Sequence, residues 1–236
     1  MNEGIFCRSE LLIGREALAK LAAAKVAVCG LGGVGSYAAE ALARSGVGFL
    51  RLIDHDSFAP SNLNRQLMAL HSTLGLSKAE VEAARVRDIN TACRVEAEKR
   101  FIDGETAASL LEGMDFVADA IDFVPGKIAI IKFCKEQGIP FVSSMGTGNR
   151  LFPERLRIGD ISQTQGCPLA RSVRQKLRAG GIMDGVPVVW SDEPPRPVQT
   201  AVEEDGKRVT ASMVFVPAAA GLLLASAALH ALLGIK

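Results

Sequence analysis

Val26-Ala-Val-Cys-Gly30-Leu-Gly32-Gly33-Val-Gly35 decides the fold. A short apolar run enters a glycine turn, and alanine-rich residues 36–45 then read as a helix. Gly30 permits the tight turn. Gly32 lets a phosphate approach the backbone, Gly33 extends the open loop, and Gly35 lets helix and strand pack closely. Such a turn aims backbone N–H groups at an anion. Residues 49–54 form the next apolar run and end at Asp54, where an acid can hydrogen-bond a ribose. To this point a dinucleotide fits as well as any other nucleotide.

The residues downstream separate the two. Asp56, then Ser61-Asn62-Leu-Asn-Arg65-Gln66, then Lys78 follow the second strand. Arg65 forks across two phosphate oxygens and Lys78 acts as a point charge. Asn62 and Gln66 can orient phosphate or base. Asp119-Ala-Ile-Asp122 follows another apolar run. Both acids therefore fall at the carboxyl edge of a sheet, where an acid can hold Mg²⁺. A nicotinamide site needs none of these, so ATP with Mg²⁺ is the expected ligand, cut at its α-phosphate. Lys78 at a helix start opposes the macrodipole and implies an anion nearby.

Strand and helix signals alternate through the first half. Strands are expected at 26–29, 49–54, 94–101, 116–120 and 141–144. Helices are expected at 36–45, 77–89 (Ser77 as cap, Glu80 completing a capping box) and 125–137. This alternation predicts an α/β fold, a Rossmann-like doubly wound and mostly parallel sheet. An irregular C-terminal half packs on it, with a strand at 156–158, a helix at 167–178 and a strand at 186–190. Residues 202–208 carry the charge of a solvated loop. The whole chain, 1–236, reads as one domain: an ATP-binding half, 1–146, and a substrate-binding, dimer-supporting half, 147–236.

Net charge is +1, so nothing in the bulk field draws the protein to nucleic acid or membrane. The five cysteines form no Cys-x-x-Cys pair, which argues against structural zinc and a redox motif. With no charged start leading into an apolar run, no signal peptide is expected and a cytoplasmic location is the default. Residues 214–235 are nearly all apolar. Pro217, Gly221 and abundant small side chains favour a buried strand and helix; peripheral membrane association through this segment is the alternative.

From Phe6 to Asp122 the chain resembles the ubiquitin-activating-enzyme-like adenylyltransferases, which include the activators of molybdopterin-synthase and thiamine-pathway sulfur carriers. Their Gly-x-Gly-x-x-Gly, Asp-x-Asp, Ser-Asn-Leu-Asn-Arg-Gln and distal Lys stand here as Gly30/Gly32/Gly35, Asp54/Asp56, Ser61 to Gln66 and Lys78. By this resemblance Arg8 acts in trans in the ATP site of a homodimer partner, and Asp122 is the metal-side acid. The family's preceding Arg is Ile5 here, and the Asn after its metal-side Asp is Phe123. The zinc cysteine pairs and the large catalytic-cysteine domain of other branches are missing. Asp160-Ile-Ser-Gln-Thr164, the run from Pro168 to Arg178, and Val188-Val-Trp-Ser-Asp-Glu-Pro194 resemble the tRNA threonylcarbamoyladenosine dehydratase branch, though Cys167-Pro-Leu replaces its usual Asp-Pro-Leu.

That resemblance implies ATP-dependent cyclisation of a threonylcarbamoyladenosine in tRNA through an acyl-adenylate, with Arg8, Arg65, Lys78 and Asp122 as the catalytic set. A basic strip, Arg150, Arg171, Arg174 and Arg178 among it, is what phosphate-backbone binding requires; a solvated helix face gives the same pattern. Cys167, ahead of a helix, admits a nucleophilic role but more readily a structural one. The alternatives are adenylation of a small sulfur-carrier protein's C-terminal carboxylate and a non-catalytic nucleotide-binding module. A sulfur-transfer partner protein is a further expectation.

Overall fold

A computed structural model describes residues 4–200, 203–204, 207–208 and 210–235. Two short helices, α1 (Cys7–Ile13) and α2 (Arg15–Ala23), lead into β1 (Lys25–Cys29), α3 (Gly35–Arg44) and β2 (Phe49–Ile53). Then come α4 (Lys78–Ile89), β3 (Arg94–Glu98), α5 (Ala107–Leu111), β4 (Phe116–Asp119), α6 (Val124–Gln137) and β5 (Phe141–Ser144). The second half supplies β6 (Leu156–Asp160), α7 (Pro168–Ala179), β7 (Pro187–Ser191) and α8 (Phe215–Leu233). The sheet runs β3-β2-β1-β4-β5-β7-β6. Every pairing is parallel except β6 with β7. The expected doubly wound α/β sheet is therefore present, closed at one edge by an antiparallel strand.

Strand order reverses at β1, whose neighbours are β2 and β4. Loops leaving these strands diverge there and open a crevice at their carboxyl ends. The central strands read as apolar runs because both faces are covered. One core lies between the sheet and α3, α4 and α8, the other between the sheet and α5, α6 and α7.

Within 214–235 the described residues form a single helix, without the expected strand. By length and hydropathy α8 could cross a membrane. Its small residues nonetheless seat it on α3. A Cβ on Gly221 would stand 2.2 Å from the Val34 carbonyl oxygen, so the helix touches protein backbone at van der Waals distance. Val216, Ala220, Leu224, Ala225 and Ala228 are buried there.

Two local expectations need correction. Ser77 does occupy the N-cap of α4, but its hydroxyl makes no cap bond and lies buried without a partner. Within 202–208, Glu203–Glu204 pairs with Lys207–Arg208 as a two-stranded ladder instead of a loop; the rest of that segment falls outside the described residues.

Glu82, one turn beyond Lys78, is fully buried with both carboxylate oxygens unpartnered. Burial first, then the nearby Glu40 carboxylate, pushes its pKa well above the ordinary value. The folded protein thus holds a proton there that the unfolded chain releases above about pH 4.3. Stability is fully present below that pH and falls as pH rises toward the folded pKa. Glu82→Gln is expected to stabilise the protein at pH 8 and leave it unchanged at pH 4, as read by urea denaturation at both.

Candidate active site

The crevice at the switch point holds a cavity of about 590 Å³. Its walls carry Gly30, Gly32, Gly33, Asp54, Asp56, Asn62, Arg65, Gln66, Lys78 and Asp122, ten sequence-predicted site residues from the ends of β1, β2 and β4, the loop after β2 and the start of α4. Gly35 stands behind the wall. A Cβ there would fall 1.7 Å from the Gly30 carbonyl oxygen, so only glycine lets α3 start against the end of β1.

The two acids after β2 divide their work. Asp54 is buried; its Oδ2 accepts from the Leu31 N–H at 2.6 Å and its Oδ1 from the Asp56 N–H at 2.9 Å. Its carboxylate thereby fixes the glycine loop to the β2 exit. Asp54, from which the ribose contact is expected, and the half-exposed Asp56 both line the cavity. Lys78, the first residue of α4, is 5% exposed, and its Nζ lies 2.9 Å from Asp56 Oδ2. That carboxylate is the anion implied by a lysine at a helix start. His55 Nε2 sits 3.2 Å from Asp56 Oδ1. Lys78 and the backbone bonds already engage these acids, so Asp54, His55 and Asp56 make a poor cation site.

The loop after β2 is held by its own polar groups. Asn62 Oδ1 accepts from the Ala59 N–H, which leaves its amide NH₂ as the group able to meet a ligand. Gln66 Oε1 is buried beside the cavity with no partner. Arg65 donates to the Ser61 carbonyl at 2.7 Å and to Asn64 Oδ1 at 3.0 Å, neither of them charged. Its positive charge remains uncompensated among the described residues.

At the end of β4 the acids divide again. Asp119 is fully buried, not a cavity acid: its Oδ2 takes the Lys127 ammonium at 2.9 Å and the Ser143 hydroxyl at 2.6 Å. Its Oδ1 accepts from the Ile121 N–H, which fixes the turn presenting Asp122. Asp122 is exposed on the cavity wall.

Several wall residues escape sequence reasoning: His55, Arg100, Phe101, Phe123, Ser144, Thr147, Thr210 and Ser212. His55 packs edge-on against Phe101 at 4.8 Å, and Phe101 lies 5.0 Å from Phe123. These three leave different strand ends, so no local motif joins them. The one signal was Phe123, standing where an Asn was expected.

The basic strip is only partly a surface. Arg150 is buried; its Nε donates to the Glu193 carbonyl and its Nη1 to the carbonyls of Gly146 and Gly148. Arg174 donates to the carbonyls of Ile161 and Thr164 and to the Thr164 hydroxyl. Burial removes Arg150 from the expected RNA-facing set, whereas Arg174 is half-buried and commits its Nη1 to loop acceptors. Arg171 and Arg178 are exposed. Cys167 is buried at the N-cap of α7, where its Sγ accepts from the Ala170 N–H at 3.5 Å.

Arg8 does not line its own chain's cavity. It is exposed on α1, a helix with no buried residue, whose Leu11 and Leu12 are 86% and 85% exposed.

This fold and site define a class, and the ThiF family model matches residues 6–236; the chain belongs to that family. The tRNA threonylcarbamoyladenosine dehydratase of Bacillus subtilis (strain 168) is 45% identical over 230 residues, covering 93% of this chain and 91% of that protein. The crystal structure of the Escherichia coli tRNA N6-threonylcarbamoyladenosine dehydratase in complex with AMP superposes with a TM-score of 0.89 at 37% identity. The match covers 96% of this chain and 93% of that one. The same enzyme in complex with ATP gives 0.88 at 36% identity, covering 97% and 93%.

Proposed function

We propose that this protein is an ATP-dependent tRNA threonylcarbamoyladenosine dehydratase. The reading is carried by one observation: a phosphate-binding glycine loop, an uncompensated Arg65, a buried Lys78 and an accessible Asp122 meet in one cavity at the switch point. Its near-full-length likeness to dehydratases selects the substrate among those open to an adenylating site.

The threonyl carboxylate of the modified adenosine attacks the α-phosphorus of ATP, giving an acyl-adenylate and pyrophosphate. The substrate's own carbamoyl nitrogen then displaces AMP and closes a ring, so no protein nucleophile is needed. Cys167, buried and occupied, accords with that. The chain supplies positioning and charge. The glycine-loop N–H groups face the phosphates, and Lys78 and Arg65 stabilise charge that builds on the phosphate oxygens. Asp54 and Asp56, both on the cavity wall, are the acids assigned to the ribose side. Asp122 is the carboxylate that would hold Mg²⁺, since it lies on the cavity wall clear of the Lys78 and Lys127 ammoniums, which pair with Asp56 and Asp119. Mg²⁺, when bound, withdraws charge from the phosphates. Pyrophosphate release that requires tRNA carrying the modification tests this reading; release that requires a small carrier protein instead would replace it.

Arg8 completes the site from a second copy. Its absence from its own chain's cavity wall and the exposed leucines of α1 support a homodimer in which the N-terminal helix covers a partner. Mixing Arg8→Ala with Lys78→Ala, each inactive alone, is expected to restore about a quarter of wild-type activity. Half of a random mixture is heterodimer, and each heterodimer rebuilds one intact site. No recovery after subunit exchange would place Arg8 in cis.

For tRNA, the exposed Arg171 and Arg178 on α7 supply a surface. Reversing both charges is expected to weaken tRNA binding about tenfold or more and to flatten its salt dependence. ATP affinity, read by calorimetry on the same variant, stays as in the wild type.

A further inference from the structure

A second cavity of about 440 Å³ adjoins the first. Leu151, Pro197, Val198 and Met213 make it chiefly apolar, and Ser212 belongs to the walls of both. Its volume lies within the range of small-molecule sites. Arg150 also lines it. Three of this guanidinium's bonds go to backbone carbonyls, but Nη2 is buried with no partner among the described residues. A buried donor on a cation is costly to leave unmatched. Neither neighbouring carboxylate oxygen answers it, because Glu193 spends its own on the N–H groups of Leu151 and Phe152 and on Arg196.

The same side chain braces the wall of the nucleotide cavity without lining it. Its Nη1 holds the carbonyls of Gly146 and Gly148, both on that cavity's wall. Arg150 thus stands between the two spaces, tying the loop that separates them. Polar groups of Asn149, Gln199, Thr200 and Ser212 on the same walls can meet the edge of a flat aromatic ring, and the apolar faces suit its sides. They suit a phosphate poorly, because it would lose its hydration against four hydrocarbon side chains.

We propose that this second cavity receives the purine ring of the substrate nucleoside, packed on Leu151, Pro197, Val198 and Met213, with Arg150 in its wall. The inference rests on the dehydratase reading and assigns that reaction a subsite. A base taken out of its stack into this cavity directs its short threonylcarbamoyl arm past Ser212 toward the α-phosphate. The base is recognised on one side of Arg150 while the carboxylate is activated on the other.

Two variants at Val198 test it. Val198→Trp fills the cavity. It is expected to lower kcat/KM for modified tRNA about tenfold or more, chiefly through KM, with ATP affinity unchanged by calorimetry. Val198→Cys places a thiol on the cavity wall. The free threonylcarbamoyladenosine nucleoside is expected to slow alkylation of that thiol, whereas ATP alone does not. An unchanged kcat/KM in Val198→Trp, or equal alkylation with and without the nucleoside, overturns the assignment even where the wild-type enzyme forms the cyclic product. A wild-type protein that forms no cyclic product overturns the dehydratase reading itself. The alkylation rates still report whether the cavity takes the nucleoside.

Discussion

Lys78→Ala is expected to cut ATP-dependent turnover by on the order of a hundredfold to a thousandfold, the usual cost of removing a donor aimed at developing charge. The ammonium sits at the cavity wall on a helix start, held 2.9 Å from Asp56. Burial strengthens its field and fixes its direction, so no reorganisation is needed when charge builds on the phosphate. The loss falls mainly in kcat. Asp56, left without its lysine, is half exposed and costs the fold little. Thermal unfolding of the variant near the wild-type temperature, together with the fall in kcat, separates a catalytic loss from a structural one. Wild-type kcat in Lys78→Ala would remove the residue from the mechanism.

Asp119→Asn is expected to be the most destabilising single change, about 3–5 kcal/mol, because it leaves the Lys127 ammonium buried without its counter-charge. Both side chains are wholly inaccessible, and Ser143 closes the group with bonds to each. Lys127→Met should cost a similar amount by stranding the carboxylate. The double variant should cost less than the sum, since each single change already forfeits the shared interaction. Urea denaturation of the four proteins measures the cycle, and additive losses would contradict the pair. The group also has a catalytic consequence. Asp119 Oδ1 holds the Ile121 N–H, so the turn that presents Asp122 loses an anchor with it.

The nucleotide half was legible because its constraints are local. The glycine spacing, the strand ends and the charged residues after β2 each act within a few residues, and the parallel topology follows from the alternation. What escaped depends on distant partners. Asp54 and Asp56 look equivalent in the chain; only the position of the Leu31 N–H makes one a buried clamp and leaves the other half exposed beside Lys78. Asp119 and Asp122 differ for the same reason, since Lys127 comes from a helix that folds back beneath β4. Arg150 and Arg174 were counted as surface charge because a sequence does not reveal which carbonyls will lie beside a guanidinium. The aromatic wall of His55, Phe101 and Phe123 is assembled from three loops. The exposed α1 was intelligible only through family resemblance, because an isolated reading of its leucines assigns them to a core.

In the proposed reaction this site joins AMP to the carboxylate of a tRNA nucleoside and thereby closes a ring. Mass spectrometry of nucleosides from modified tRNA, after incubation with the protein, ATP and Mg²⁺, tests it most directly. The expected result is conversion of threonylcarbamoyladenosine to a product lighter by one water, with pyrophosphate and AMP formed in equal amount. An unaltered nucleoside in the presence of enzyme with ATP bound would contradict it.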